Sequence, residues 1–269
     1  MTKVKVLITV KTYPTLSSFR EEELVCTAGI TEKGEWLRLY PIPFRKLNYA
    51  SQYSKYEWIE IDIEKNTKDF RKESYKLISI DNPIKSLGTI DTANNWNKRK
   101  DIVFRAQKYT NLKFLINEAY DENKHTSLAL FKPTRIVDFI YTEDDPEWDK
   151  STLECLSQGN LFENISHFRV VRKLPFKFSY VFEDDERQIS RLMIEDWEIG
   201  ALYWKIYDKT QKAKEACIKV KNKYLDDFVS SKELYFFLGT NFINLALVIQ
   251  YPHYICRILS ATRDGSRQT

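Results

Sequence analysis

Two stretches near the amino terminus combine cations with aromatic rings in a pattern that suits a nucleic-acid strand. One is Lys11-Thr12-Tyr13-Pro14 and the other is WLRLYPIPFRKL over residues 36–47, so that Lys11, Arg38, Arg45 and Lys46 accompany Tyr13, Tyr40 and Phe44. Cationic groups neutralise phosphates, and exposed aromatic faces stack bases. In an extended strand Arg38 and Tyr40 alternate with Leu37 and Leu39, which puts the first two together on the face opposite the core. A second run, Lys98-Arg99-Lys100 followed by Arg105, Lys108 and Lys113, is interleaved with Trp96, Phe104 and Tyr109. On a helix Arg105 and Lys108 stand at i, i+3, a stripe able to follow a phosphate backbone. The competing reading of both stretches is ordinary solvated charge over packed tyrosines.

The densest carboxylate group is Glu195-Asp196-x-Glu198, downstream of Glu183 to Glu186 (EDDE). Paired carboxylates bind Mg²⁺ or perform acid–base work, and Glu195 and Glu198 would share a helix face; acids at a helix start also stabilise its dipole. Asp62-x-Glu64-Lys65 has nuclease-like residue types at the wrong spacing. His125, His167 and His253 form no HxxxH pair, and the chain contains neither GxGxxG nor GxxxxGK[ST]. Cys26, Cys155, Cys217 and Cys256 lie far apart without a CxxC pair, which predicts free thiols in a reducing compartment. No cofactor is expected, with Mg²⁺ implied only if the carboxylates act as a metal-dependent nuclease.

The elements that must position these groups follow from composition and periodicity. With 269 residues, 43% hydrophobic and 30% charged, the chain has a globular balance and the length for one large domain or two small ones. A net charge of +4 is mild, so local clustering of cations matters more than the total. Sixteen Phe, 16 Tyr and 6 Trp against only 7 Gly suit a packed β-containing core. No apolar run approaches the roughly 20 residues of a spanning helix, and the start lacks a signal-type apolar region, so a cytoplasmic protein without membrane partners is expected.

Alternation predicts strands over residues 4–10, 23–30, 35–40, 56–64 and 75–80, with Glu32-Lys33-Gly34 as a hairpin turn. Five short strands in one block predict a small barrel. Residues 97–119 have helical spacing with a break near Thr110-Asn111, and 127–140 reads as a strand interrupted at Lys132-Pro133, placed to return and close the barrel. Acidic residues around Pro146 mark a connecting loop over 142–160. A second α+β lobe follows over 161–259, with strands at 176–182, 233–238 and 245–251 and helices at 189–207 and 210–229. The expected domains are therefore 1–141, a barrel carrying the helix 97–119, and 161–259, with a disordered tail over 260–269.

The strings KTYPTLSSFREEELVCTAGITEKGEWLRLYPIPFRKL, SRLMIEDWEIGALYWK and ELYFFLGT resemble those of an uncharacterised bacterial protein family, over residues 6 to about 240. The amino-terminal part is similar to PUA-like barrels of the ASCH and EVE kind, associated with RNA or modified-base recognition. That resemblance implies an α+β fold in which an N-terminal PUA-like small β-barrel with a helical insertion is followed by a second α+β lobe. Relatives carry Cys and His residues before the IEDWE string, where this chain has FEDDERQISRLM, so no ligand or catalytic residue transfers. The expected function is a non-catalytic nucleic-acid-binding protein taking RNA or DNA, single-stranded or at a modified base. The alternatives are an interaction subunit of a bacterial defence or toxin-type assembly with a protein partner, and a metal-dependent nuclease using Glu195, Asp196 and Glu198.

Overall fold

Alternating β-branched and charged residues build the first block of strands: β1 (Thr2–Lys11), β2 (Thr15–Ser17), β3 (Glu22–Ile30), β4 (Trp36–Ile42), β5 (Glu57–Lys65), β6 (Ser74–Leu77) and β7 (Lys85–Thr89). The computed structural model describes residues 2–17, 22–154, 170–231, 233–240 and 256–264. Strands β1, β3, β4, β6 and β5 pair in that order, and β5 returns to β1 with Leu7 opposite Trp58 and Thr2 opposite Ile63, which closes a five-stranded barrel. A PUA-like barrel is compatible with this ring. All its pairings are antiparallel except β4–β6. The β3–β4 hairpin turns at Gly34, whose φ of +84° only glycine adopts without a Cβ penalty.

Burial along β5 alternates, with Ile59, Ile61 and Ile63 pointing into the barrel. Strand β1 departs from that rule, because Val6 to Lys11 are buried in succession. Its outward side is also covered: Val10 packs with Ala28, Leu130 and Phe237 in a second cluster outside the barrel.

The remaining chain forms α1 (Ala93–Val103), β8 (Lys108–Tyr109), α2 (Leu112–Tyr120), β9 (Leu128–Phe131), β10 (Arg135–Glu143), β11 (Phe176–Glu183), β12 (Ile189–Met193), α3 (Trp197–Thr210), α4 (Ala213–Lys221), a π-turn over Asn222–Asp227, α5 (Phe228–Ser231), β13 (Glu233–Thr240) and β14 (Cys256–Asp264). One sheet runs β10-β11-β12 and another β14-β13-β9-β8. Between them and α2, α3 and α4 lies an aromatic core that includes Phe131, Phe139, Phe178, Tyr180, Phe182, Tyr203 and Phe236. The whole is an α+β fold of two lobes.

Several elements differ from the sequence expectations. The strand expected over 127–140 does break at Lys132-Pro133, but β9 pairs with β13 and β8 and does not close the barrel. The helix expected over 189–207 begins only at Trp197, since Ile189–Met193 pairs with β11. Helix 210–229 is divided by the π-turn. Residues Cys256–Asp264 pair with β13, so strand structure extends past residue 260. The strand expected over 245–251, together with His167, His253 and Cys155, lies outside the described residues; Cys26 and Cys217 are free thiols. The break near Thr110-Asn111 has a clear cause, because the Asn111 side chain caps α2 by accepting the Phe114 N–H at 2.8 Å.

Candidate nucleic-acid interface

The first turn of α3 plugs into the open end of the barrel. Asp196 is its N-cap, accepting the Glu198 N–H at 3.0 Å, and Thr12 bridges to Asp196 while the Tyr13 N–H donates to the Glu195 carbonyl at 2.7 Å. Lys55 Nζ lies 2.8 Å from Asp196 Oδ2 and 2.5 Å from Glu198 Oε2. Burial opposes the charges of Lys55 and Asp196, yet their pairing holds the lysine above and the aspartate below their usual ranges. Burial, reinforced by the hydrogen bond and negative charge of Asp196, pushes Glu198 up to about 7.

The residues expected to meet a nucleic acid are largely absorbed by this junction. Lys11 Nζ sits 4.4 Å from the Phe44 ring centre and 4.5 Å from that of Trp197, and donates to the Tyr53 carbonyl; burial lowers its pKa. Phe44 is buried beneath Trp197 with ring centres 5.5 Å apart. Arg45 pairs with the buried Glu23 at 2.7 Å, and Glu23 also accepts the Val171 N–H at 3.1 Å. Lys46 is half-buried nearby and its charge favours ionised Glu23. The Tyr13 hydroxyl donates to the Arg172 carbonyl and accepts from Trp204 Nε1, both at 2.9 Å. Its ring lies against Gly200, where a Cβ would stand 2.1 Å from Tyr13 Cδ2.

Arg38 does point away from the barrel core, as alternation requires, but that face is covered by the second lobe and the residue is 2% exposed. Its Nη2 donates to the Ser127 carbonyl at 2.9 Å and hydroxyl at 3.1 Å, and Nη1 approaches Cys26 Sγ at 3.3 Å, while Nε has no hydrogen-bond partner. A buried donor left so is costly unless a ligand accepts from it.

Arg38 lines a cavity of about 490 Å³ at the lobe junction, a volume typical of small-molecule sites. Leu24, Phe176, Phe178, Ile194 and Ile199 make its apolar floor, and Tyr13, Tyr40 and Trp148 supply aromatic walls. Four cations, Arg38, Arg71, Lys173 and Lys177, outnumber the two acids Asp144 and Glu195. Arg71 is committed to Asp69 and to the Thr240 carbonyl at 2.9 Å, whereas Lys177 makes an exposed pair with Asp144 and Lys173 donates to the Glu147 carbonyl. Of the residues nominated for nucleic-acid binding the cavity thus collects Tyr13, Arg38 and Tyr40. Arg71, Trp148, Lys173 and Lys177 were missed, since they come from three separate segments that only the tertiary fold joins.

The second basic run lies elsewhere. Lys98 is exposed and paired with Asp91 at 3.0 Å. Arg99 stacks on Tyr56 at 4.0 Å and on Trp96 at 4.7 Å, and donates twice to the Ile90 carbonyl, which makes it a packing residue. Because α1 ends at Val103, Arg105 and Lys108 are not on a common helix; Arg105 is turned to the Asp101 and Glu32 carbonyls, and Lys108 lies exposed over Phe104. The nominated carboxylates also separate. Glu195 precedes α3 and lines the cavity, while Asp196 and Glu198 hold Lys55, so they do not form one helical pair. Among the described residues no group of three or more His, Cys, Asp or Glu side chains is arranged to hold a metal ion. No helix among them is long and apolar enough to cross a membrane.

Residues 2–105 match the family model described as domain of unknown function DUF8758, and residues 108–250 match that described as domain of unknown function DUF8757. No curated protein matches the chain. A solved structure of a murine DNA-binding protein bound with double-stranded DNA aligns over 99% of this chain and 100% of its own, at 7% identity and a TM-score of 0.30, a likeness too slight to bear on fold or function.

Proposed function

From the premise that the chain belongs to the DUF8757 family, whose description assigns no activity, we propose that it is a non-catalytic nucleic-acid-binding protein. Its junction cavity takes one unstacked or modified base of a single strand. The observation that carries this reading is the coincidence, in one cavity, of an apolar floor, three aromatic walls and an excess of cations. A base supplies a π-face for Tyr13, Tyr40 or Trp148 and an acceptor for Arg38, and the neighbouring phosphates meet Lys173 and Lys177 at the rim.

The test is fluorescence-anisotropy binding to short single-stranded RNA, single-stranded DNA and duplex across a salt series. Single strands are expected to bind best, with affinity falling as salt rises; Lys173→Glu with Lys177→Glu should weaken binding and flatten the salt slope by about 0.7 for each phosphate no longer neutralised. Equal binding by the double variant removes the rim from the interface.

A further inference from the structure

Behind the junction cavity, on the far side of Phe176 and Asp144, lies a smaller pocket of about 330 Å³ with the opposite electrical character. The partly exposed rings that line it are Trp204 and Tyr207, with the buried Tyr203 and Phe176 behind them, and its acids are Glu143 and Asp144; among the described residues that line it, none is cationic. The rings are set as a corner. Tyr203 and Tyr207 are nearly parallel, 12° apart, and Trp204 stands across them at 78° and 86°. Tyr203 is fully buried, and its hydroxyl has no hydrogen-bond partner. Trp204 already demonstrates the affinity of such a ring for positive charge, because Arg172, held by Asp208, rests 3.9 Å from its centre.

We infer that this aromatic corner binds a compact organic cation of the methylated-ammonium class, with Glu143 and Asp144 facing its charge. Ring faces carry negative quadrupole potential, so perpendicular aromatic walls favour a cation with methyl groups that a carboxylate alone would not select. A neutral apolar group would fill the same volume without using the acids, and an anion would be repelled by them. Asp144 also pairs with Lys177, which leaves Glu143, exposed at the end of β10, as the more available counter-charge.

The experiment is titration of the full chain, without nucleic acid, with choline and with its neutral carbon isostere 3,3-dimethylbutan-1-ol, followed by tryptophan fluorescence. A saturable response to choline at least tenfold tighter than to the isostere is expected. Glu143→Gln should weaken choline several-fold and Tyr207→Leu at least tenfold. Equal binding of the isostere, or no saturable response to choline, overturns the inference. If Tyr207→Leu does not fold, the surface substitution Glu143→Gln and the isostere comparison on the unmodified protein still decide it. Because no nucleic acid is present, the outcome is independent of whether the junction cavity takes a base.

Discussion

Replacing Lys55 with methionine should loosen the docking of α3 on the barrel. The ammonium is 12% exposed and is shared by Asp196, 5% exposed, and Glu198, 48% exposed. Removing one partner of a buried pair costs about 3–5 kcal/mol, because the remaining charge is stranded. Glu198 can take up a proton near neutrality, so the cost falls mainly on Asp196 and the lower end, about 3 kcal/mol, is expected. That is roughly a hundredfold change in the folding equilibrium. With a urea dependence near 3 kcal/mol per molar, the midpoint should fall by about 1 M. Urea unfolding read through tryptophan fluorescence suits the case, since Trp197 packs against Phe44 and Lys11 at this joint. Adding Asp196→Asn removes the stranded charge, and the double variant should recover at least about 1.5 kcal/mol relative to additivity. A Lys55→Met protein within about 0.5 kcal/mol of the original, or additive effects in the cycle, would refute this description of the joint.

Three further outcomes follow from the same geometry. Gly200→Ala places a methyl inside the Tyr13 ring, and should destabilise the junction by about 1–3 kcal/mol in thermal or urea unfolding; a neutral result would mean that Tyr13 is not seated there. The Glu198 carboxyl titrates near 7 in the folded protein against an ordinary 4.5, so the folded state binds the extra proton between those values. Its contribution to stability is therefore complete below about 4.5 and declines as pH rises toward about 7, a slope that Glu198→Gln should abolish in pH-dependent denaturation. Arg38→Ala should lower stability by about 1–3 kcal/mol by urea unfolding, because two charge-assisted bonds to Ser127 are lost, although the Ser127 carbonyl keeps the Thr240 N–H at 3.1 Å.

Much of the local structure was legible in the residues. The alternation of Ile59, Ile61 and Ile63 with Glu60, Asp62 and Glu64 gives β5 its period of two, and Glu32-Lys33-Gly34 gives the hairpin. Partners at long range were not legible. Residues 128–131 announce a strand, but nothing in Leu-Ala-Leu-Phe says that it will pair with Phe236 to Gly239 and leave the barrel to close through β1 and β5. The same limit governs the site. Period two correctly turned Arg38 away from the barrel core, yet whether that face meets water or a second lobe depends on contacts with Ser127, 89 positions away. Lys11 looked like a surface charge for the same reason; its buried place between Phe44 and Trp197 needs both lobes assembled. The IEDWE string did hold an available signal, since an aspartate followed by Trp-Glu suits an N-cap at Asp196, whereas apolar spacing alone ran the helix back through β12.

The most direct trial of base capture at the junction is ultraviolet crosslinking of the protein to a single strand carrying 4-thiouracil, followed by peptide mapping. Crosslinks on Tyr13, Tyr40 or Trp148 are expected, because these are the aromatic walls of the cavity. Crosslinks confined to the Lys98–Lys108 surface, with none in the cavity, would contradict it.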